Sequence, residues 1–528
     1  MDWPLVALLG GWMLFAIASI WLRPLWPVDE TRYASVAWEM WLRGDFLVPY
    51  VNGEAYSHKP PLLFWLIHLG WALFGVNDWW PRLIAPLCAL GSVPLLFRIE
   101  RLLWPEKQAS NSAWVLFGTL LFAGFITLTM FDLLLLLCAL AGMIGVLNLI
   151  HEKRIPGLLW LGAGIGLGVL AKGPVILLHV LPAAVVAPWW APQLRGRRAR
   201  FYAELLLGVL LGAALALAWA LPAAWSGGEA YRHAILWGQT AGRVSESFAH
   251  RFPWWYYLPQ LPLILFPWFV WPRFWTGLKI VIADKRDSAA RFLLAWVVLT
   301  LVGFSLVSGK QAKYLVPFLP GFALLAGYAL SRVSAPVRWW DMLLPAAGFA
   351  ALPAALAWLR AHPAAMQLPD WAGDLPLWPL VLLACATPGL LCFSTKSTSV
   401  QLRALSFAVL YGAAVLGGGM LPAFVPYGDP APVARELAAL QAQRVPLAHL
   451  GKYHATYNYV GRLREPIEIL DPGEVRGWVA AHPGGRVLTI EHARAPEGGG
   501  PEFQGRFRGA WVQLWRGEAL LVARPELR

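Results

Sequence analysis

Charge, cysteine and internal repetition are what this sequence has little of. Only 14% of its 528 residues are charged against 58% hydrophobic, a mix with too little polar surface for an ordinary soluble domain. The four cysteines, Cys88, Cys138, Cys385 and Cys392, all lie inside apolar runs with no metal-ligand spacing, so they read as helix-packing residues. No internal repeat or low-complexity tract stands out, which removes support for a transporter built from duplicated halves. What is present in abundance is apolar runs long enough to span a bilayer, about 17 to 25 residues each. The 32 tryptophans and 14 tyrosines suit a protein with two membrane–water interfaces to anchor. The formal charge of +13 comes from short basic clusters between apolar runs, the pattern of cytoplasmic loops and not of a nucleic-acid partner.

The first run, Trp3 to Leu22, has no small-residue cleavage site and leads directly into Arg23, so it reads as a retained helix. Further spans are expected near 81–99, 112–130, 133–150, 156–171, 174–190, 203–222, 255–275, 291–307, 314–331, 340–358, 376–393 and 404–421, about thirteen in all. The apolar stretch Pro61 to Gly75 is too short to cross easily and is expected to lie in the interface. With that assignment the loops carrying Arg98, Arg101 and Lys107, Lys153 and Arg154, Arg195 to Arg200, Lys279 to Arg291, Arg332 and Arg338, and Lys396 and Arg403 share one face. The positive-inside rule makes that face cytoplasmic. The opposite face receives a large first loop, 23–80, and everything after Leu421. Residues 1–424 thus form a helical membrane domain, and 425–528 a small α/β domain on the outer face. In the latter, Pro432–Gln443 reads as a helix, and Pro446–Leu450, Pro466–Leu470, Arg486–Ile490 and Trp511–Trp515 as strand-like runs.

The chemistry-bearing residues gather at outer helix ends. The first loop holds Pro27-Val-Asp29-Glu30-Thr-Arg32-Tyr33, then Gly44-Asp45, then His58-Lys59-Pro60. In a free loop these would form a solvated face, but here they are flanked by helix ends and an interfacial apolar segment, where unpaired charge is costly and usually functional. Asp132 interrupts an uncharged stretch at an outer turn, which makes it a candidate acid as well as a helix cap. Lys172, before Gly173-Pro174, and Lys310-Gln-Ala-Lys313-Tyr314 put positive charge on the face the sign bias leaves poor in it. An anionic ligand such as a phosphate explains that placement, and Arg251, before a tryptophan–tyrosine belt, could join it.

Taken in order, these motifs resemble the bacterial membrane glycosyltransferases related to the lipid A 4-amino-4-deoxy-L-arabinose transferase and, more distantly, the protein O-mannosyltransferases. The resemblance covers residues 1 to about 331 and rests on Asp29-Glu30-Thr-Arg32-Tyr33, Gly44-Asp45, His58-Lys59-Pro60, Leu170-Ala-Lys172-Gly173, Arg251-Phe-Pro-Trp-Trp-Tyr-Tyr and Lys310-x-x-Lys313-Tyr314. It implies a GT-C fold in the bacterial cytoplasmic membrane, with a cytoplasmic N-terminus and a periplasmic C-terminal domain. It also implies transfer of a sugar from a polyprenyl phosphate, such as undecaprenyl phosphate, to a lipid or protein acceptor outside the cytoplasm, lipid A among them. The implied acids are Asp29 and Asp132, with Glu30 beside them. The implied phosphate contacts are Arg32, Lys59, Lys172 and Tyr314, joined by Lys310, Lys313 and Arg251. Where relatives often carry Glu before Lys-Pro, this chain has His58, a departure from the pattern that leaves open whether the one metal candidate, His58, keeps a metal or electrostatic role. No cofactor is required, because lysines and arginines can offset the charge of the leaving phosphate. Two rivals remain: a transporter or lipid flippase, which predicts charges near mid-span, and a non-enzymatic assembly protein that uses the C-terminal domain for binding.

Overall fold

A computed structural model describes residues 2–104, 111–238, 252–363, 372–495 and 500–527. Among these, nine helices are long and apolar enough to cross a membrane, and three apolar helices, Leu62–Phe74, Ile176–Val185 and Trp378–Leu391, are shorter. The protein is a polytopic α-helical membrane protein. Helices Trp3–Leu22, Trp79–Leu103, Asp132–Ile150, Arg154–Lys172, Arg198–Ser226 and Ser288–Leu306 match expected spans to within a few residues.

Three expected spans are not single helices. The span near 112–130 is split into Asn111–Phe117 and Leu120–Phe125. At the break the Leu120 amide donates to Phe266 O at 2.9 Å, and a Cβ on Gly118 would lie 2.6 Å from Trp268. A neighbouring segment has therefore taken over the backbone pairing that a continuous helix would keep to itself. Near 255–275, prolines at 259, 262, 267 and 272 leave only the short turns Trp254–Gln260 and Leu261–Ile264 before helix Pro272–Ala283, since each proline removes a donor and clashes with the preceding turn. Near 174–190, Pro182 and Pro188 divide the run into Ile176–Val185 and Ala187–Trp190.

The pair Asp132–Ile150 and Arg154–Lys172 is an antiparallel helical hairpin packed backbone to backbone. A Cβ on Gly145 would lie 2.4 Å from Leu161 N, and one on Gly164 2.4 Å from Gly142 N. Small residues let helices approach this closely in a membrane, where dispersion and not water exclusion drives association. The hairpin brings the first residue of one helix and the last of the other, Asp132 and Lys172, to the same end.

Contacts divide the helix ends into two faces. On one, His151 Nε2 meets Leu102 O at 2.9 Å, Arg197 pairs with Glu152 at 3.6 Å, Arg332 with Asp284 at 3.2 Å and Arg403 with Asp2 at 3.7 Å. On the other, Arg23 donates to Thr127 O at 2.5 Å, Trp219 Nε1 to Leu47 O at 2.9 Å, and Ser35 to Ala455 O at 2.8 Å. The basic loops share the first face, and the first loop and C-terminal segment share the second. Helix Leu62–Phe74 belongs to the second face. At 13 residues it is only about 20 Å long, short of the hydrocarbon core.

The C-terminal segment forms a five-stranded mixed sheet. Strand Leu447–Leu450 pairs in parallel with Glu468–Leu470 and Arg486–Glu491, and Ala510–Arg516 joins antiparallel between Arg486–Glu491 and Phe503–Phe507. Helices Ala431–Ala442, Val475–Ala481 and Gly517–Ala523 accompany it.

Candidate active site

Arg23 ends the first membrane helix and Asp29 opens the next, Asp29–Arg43. Between them the chain turns on a buried charge network. The Arg23 guanidinium bridges Glu30 at 2.6 and 3.2 Å and also donates to Pro24 O and Thr127 O. Glu30 further accepts from the amides of Trp26 at 3.0 Å and Thr129 at 2.6 Å. Arg82 closes the first helix by donating to the carbonyls of Ser19, Ile20 and Arg23 at 2.7–2.8 Å. Burial pushes the Glu30 carboxyl up, but Arg23 and the two amides outweigh it and hold the acid below its ordinary value. Every oxygen of Glu30 is taken, and the side chain is 2% exposed. Glu30, expected from the sequence among the catalytic acids, is placed by these contacts inside the protein, where it ties the first-loop helix to the 127–129 turn.

Asp29, one residue earlier, faces the other way. Its Oδ1 takes Arg32 at 2.5 Å and its Oδ2 takes Lys313 at 3.1 Å, and the side chain stays 33% exposed. Burial raises its carboxyl, while Lys313, Arg32 and Lys59 together overcome that and hold it below the ordinary 3.8. Arg32, Lys59 and Lys313 thus converge on one carboxylate from three separate stretches of chain.

A second centre lies beside it. The Lys172 ammonium bonds the buried Asp132 carboxylate and sits 5.1 Å above the Tyr314 ring, a cation–π contact. Lys313 and Tyr314 are adjacent on the 3-10 turn Ala312–Phe318, so one turn supplies a residue to each centre. Tyr33, buried at 2% exposure, packs edge-on against Phe131 at 4.9 Å with Arg32 5.7 Å from its own ring. Burial raises its phenol, and the charges of Asp29 and Asp132 raise it further, so its hydroxyl stays protonated between the two acids.

The remaining candidates lie elsewhere or are otherwise engaged. Lys310 is turned into the backbone, donating to Phe252 O at 2.9 Å and Val307 O at 2.5 Å, and so straps a loop to the end of a helix. Arg251 lies outside the described residues. His58 is exposed and stacks on Tyr56 at 5.3 Å, and among the described residues no group of three His, Cys, Asp or Glu side chains is placed to hold a metal. Sequence reading missed the C-terminal contribution. Loop 451–459 lies on the first-loop helix, and His454 feels the charges of Arg32 and Asp29. No motif in the sequence after Ser331 signals that.

The family model described as dolichyl-phosphate-mannose-protein mannosyltransferase matches residues 58–223. The undecaprenyl phosphate-alpha-4-amino-4-deoxy-L-arabinose arabinosyl transferase 2 of Pseudomonas fluorescens strain Pf0-1 is 31% identical over 336 residues, 62% of this chain and 60% of that protein. The enzyme of the same description from strain Pf-5 is 32% identical over 432 residues, 73% of this chain and 72% of its own length. The chain thus spans about three fifths of the first of these relatives. In fold, the crystal structure of ArnT from Cupriavidus metallidurans bound to undecaprenyl phosphate superposes with a TM-score of 0.73 at 20% identity, over 92% of each chain.

Proposed function

We propose, from the premise that this chain belongs to the undecaprenyl phosphate-alpha-4-amino-4-deoxy-L-arabinose arabinosyl transferase family, that it transfers such a sugar from a polyprenyl phosphate to a lipid acceptor. Its GT-C fold would carry out that transfer at the outer surface of the bacterial inner membrane. In this reading Lys172 and Tyr314 hold the donor phosphate. The ammonium offsets charge that develops on the leaving oxygen, and the phenol donates to it. Asp132, buried on Lys172, positions the lysine and is not itself the acid of the reaction. Donor transfer then needs no metal for the phosphate.

The observation that carries the reading is Asp29 held between Arg32 and Lys313. A carboxylate kept below 3.8 is a poor proton acceptor near neutrality, because general-base catalysis works best with a pKa near the working pH. Its charge suits orienting an amino sugar, and the cations around it suit an acceptor that is already anionic. A phosphorylated lipid such as lipid A meets both needs, whereas a protein hydroxyl would require a stronger base. The basic-loop face is cytoplasmic by the positive-inside rule, which puts the Asp29 centre and the C-terminal sheet in the periplasm.

Donor titration in detergent tests the phosphate assignment. Lys172→Ala and Tyr314→Phe should each weaken apparent donor affinity, by about 1.5–3 kcal/mol for the charged contact, and by less for the tyrosine because phenylalanine keeps the ring under Lys172. Unchanged donor affinity in both would remove the assignment.

A further inference from the structure

Behind the Arg23–Glu30 network the membrane domain holds a cavity of about 660 Å³. Phe15 of the first helix, Leu120, Gly124, Phe266, Phe349 and Leu383 form much of its wall. Its charged lining residue among those described, Arg23, is already engaged by Glu30 and by the carbonyls of Pro24 and Thr127. Phe15 stands eight residues before Arg23, so the cavity reaches about 12 Å into the hydrocarbon layer, where lipid chain fills an apolar space. Leu263 and Leu352 line it and are exposed, which opens it toward the bilayer. None of the described residues of Asp132–Ile150, Arg154–Lys172 or the turn Ala312–Phe318 lines it, so it is separate from the elements that carry Lys172 and Tyr314.

The last membrane segment carries this cavity up to a cationic rim. Gly417, Met420, Leu421 and Phe424 line it, and Tyr427, three residues beyond Phe424 on the helix Leu421–Gly428, continues their stripe outward. The Arg506 guanidinium lies 4.7 Å from the Tyr427 ring and 5.3 Å from the Trp511 ring, and Arg494 lies 5.6 Å from the same indole, contacts that hold both cations in place by their π faces. The Arg508 amide donates to Tyr427 O at 2.8 Å, which fixes the end of the strand Phe503–Phe507 against the helix. A Cβ on Gly428 would lie 2.4 Å from Trp26, so the first loop closes the rim on its other side. Asp374 accepts from the Tyr427 hydroxyl at 2.8 Å. With two guanidiniums to that one carboxylate, the rim keeps a positive sign.

We propose that the cavity and its rim bind one anionic glycerophospholipid of the outer leaflet, with an acyl chain in the cavity and the phosphate on Arg506 and Arg494. Guanidiniums stacked on aromatic faces keep their N–H edges for phosphate oxygens, and the apolar slot below takes the chain without desolvating a polar group. The lipid joins the edge strand Phe503–Phe507 of the C-terminal sheet to the last membrane segment. It is a lipid site apart from the Asp29 and Lys172 centres, and it does not depend on the glycosyl-transfer reading above.

The test is native mass spectrometry of the full chain in a non-ionic detergent, titrated with phosphatidylglycerol and with phosphatidylcholine of the same acyl chains. The parental protein should retain one phosphatidylglycerol about tenfold more tightly than phosphatidylcholine, the scale of one charged hydrogen bond. Arg506→Gln, at an exposed position, should bring phosphatidylglycerol down to the phosphatidylcholine level. Gly124→Phe should abolish retention of both, because a Cβ at Gly124 meets no atom within 4 Å and the new side chain starts in the open space of the cavity. Thermal melts without added lipid should place both variants near the parent. If Gly124→Phe melts well below it, Arg506→Gln alone decides, and an unchanged preference for phosphatidylglycerol there overturns the proposal. Equal retention of the two phospholipids by the parental protein, or parental retention by folded Gly124→Phe, would also overturn it. So would displacement of the phosphatidylglycerol by undecaprenyl phosphate, which would give the cavity to a polyprenyl tail.

Discussion

Asp29 and Glu30 are neighbours in sequence with opposite surroundings, and their partners explain the difference. Glu30 accepts from a guanidinium and two backbone amides inside the protein, whereas Asp29 is held by side chains at a partly open surface. In sequence the two acids look alike, because the deciding contacts come from Thr129 and Lys313, far along the chain. Removing one member of a buried, hydrogen-bonded ion pair costs about 3–5 kcal/mol, since the partner charge is left uncompensated. Glu30→Gln should therefore lower the melting temperature sharply while Asp29→Asn leaves it near parental. Because the folded Glu30 carboxyl lies below its ordinary 4.5, its stabilisation is complete above that pH and fades as pH falls through the lower folded value. The Glu30→Gln variant should lack this acid-side loss. Thermal melts across acidic pH read both effects, and a Glu30→Gln protein as stable as the parent would make Glu30 available for chemistry after all.

At the scale of elements, the helices Asp132–Ile150 and Arg154–Lys172 bring Asp132 and Lys172 into contact by ending together. Hydropathy in the sequence was enough to place both helices and to mark Asp132 and Lys172 as charges at outer ends. The pairing of these two residues was not legible, because it depends on how closely two glycine-lined backbones approach. Gly145→Val should wedge the hairpin, since a Cβ there would sit 2.4 Å from Leu161 N, and overpacking of this kind costs roughly 1–3 kcal/mol. Displacing Asp132 from Lys172 should raise the donor KM in protein that still folds. A donor KM equal to the parental value, in a variant with lowered melting temperature, would mean the hairpin does not set the geometry of Lys172. The broken segments 112–130 and 255–275 show the converse limit: their apolarity reads as a span, but whether a neighbour takes over the broken backbone pairing is decided only by packing. The C-terminal strands were legible where apolar residues recur in short runs, as at Leu447–Leu450 and Arg486–Glu491. Phe503–Phe507 was missed because Gln504, Gly505 and Arg506 give it no apolar alternation.

For the whole molecule, the two-faced arrangement ties the charge pattern to the site. The first loop, the Lys172 and Lys313 junctions and the C-terminal sheet meet on one face, and the basic loops meet on the other. Cysteine-accessibility labelling gives the orientation: cysteines replacing Lys396 and Arg198 should react only from the cytoplasmic side, and one replacing Arg476 only from the periplasmic side. The reverse pattern would turn the Asp29 centre toward the cytoplasm and remove the periplasmic acceptor.

The most direct measurement is sugar transfer by the purified chain. Protein in lipid vesicles is supplied with undecaprenyl phosphate 4-amino-4-deoxy-L-arabinose and a phosphorylated lipid acceptor, and products are followed by mass spectrometry. The parental protein should add one pentose to the acceptor and release undecaprenyl phosphate. Folded Asp29→Asn should do so about 10²-fold more slowly, the scale of losing a positioned charge at the reacting centre. No transfer by folded parental protein, or transfer by Asp29→Asn at the parental rate, would contradict the proposed function.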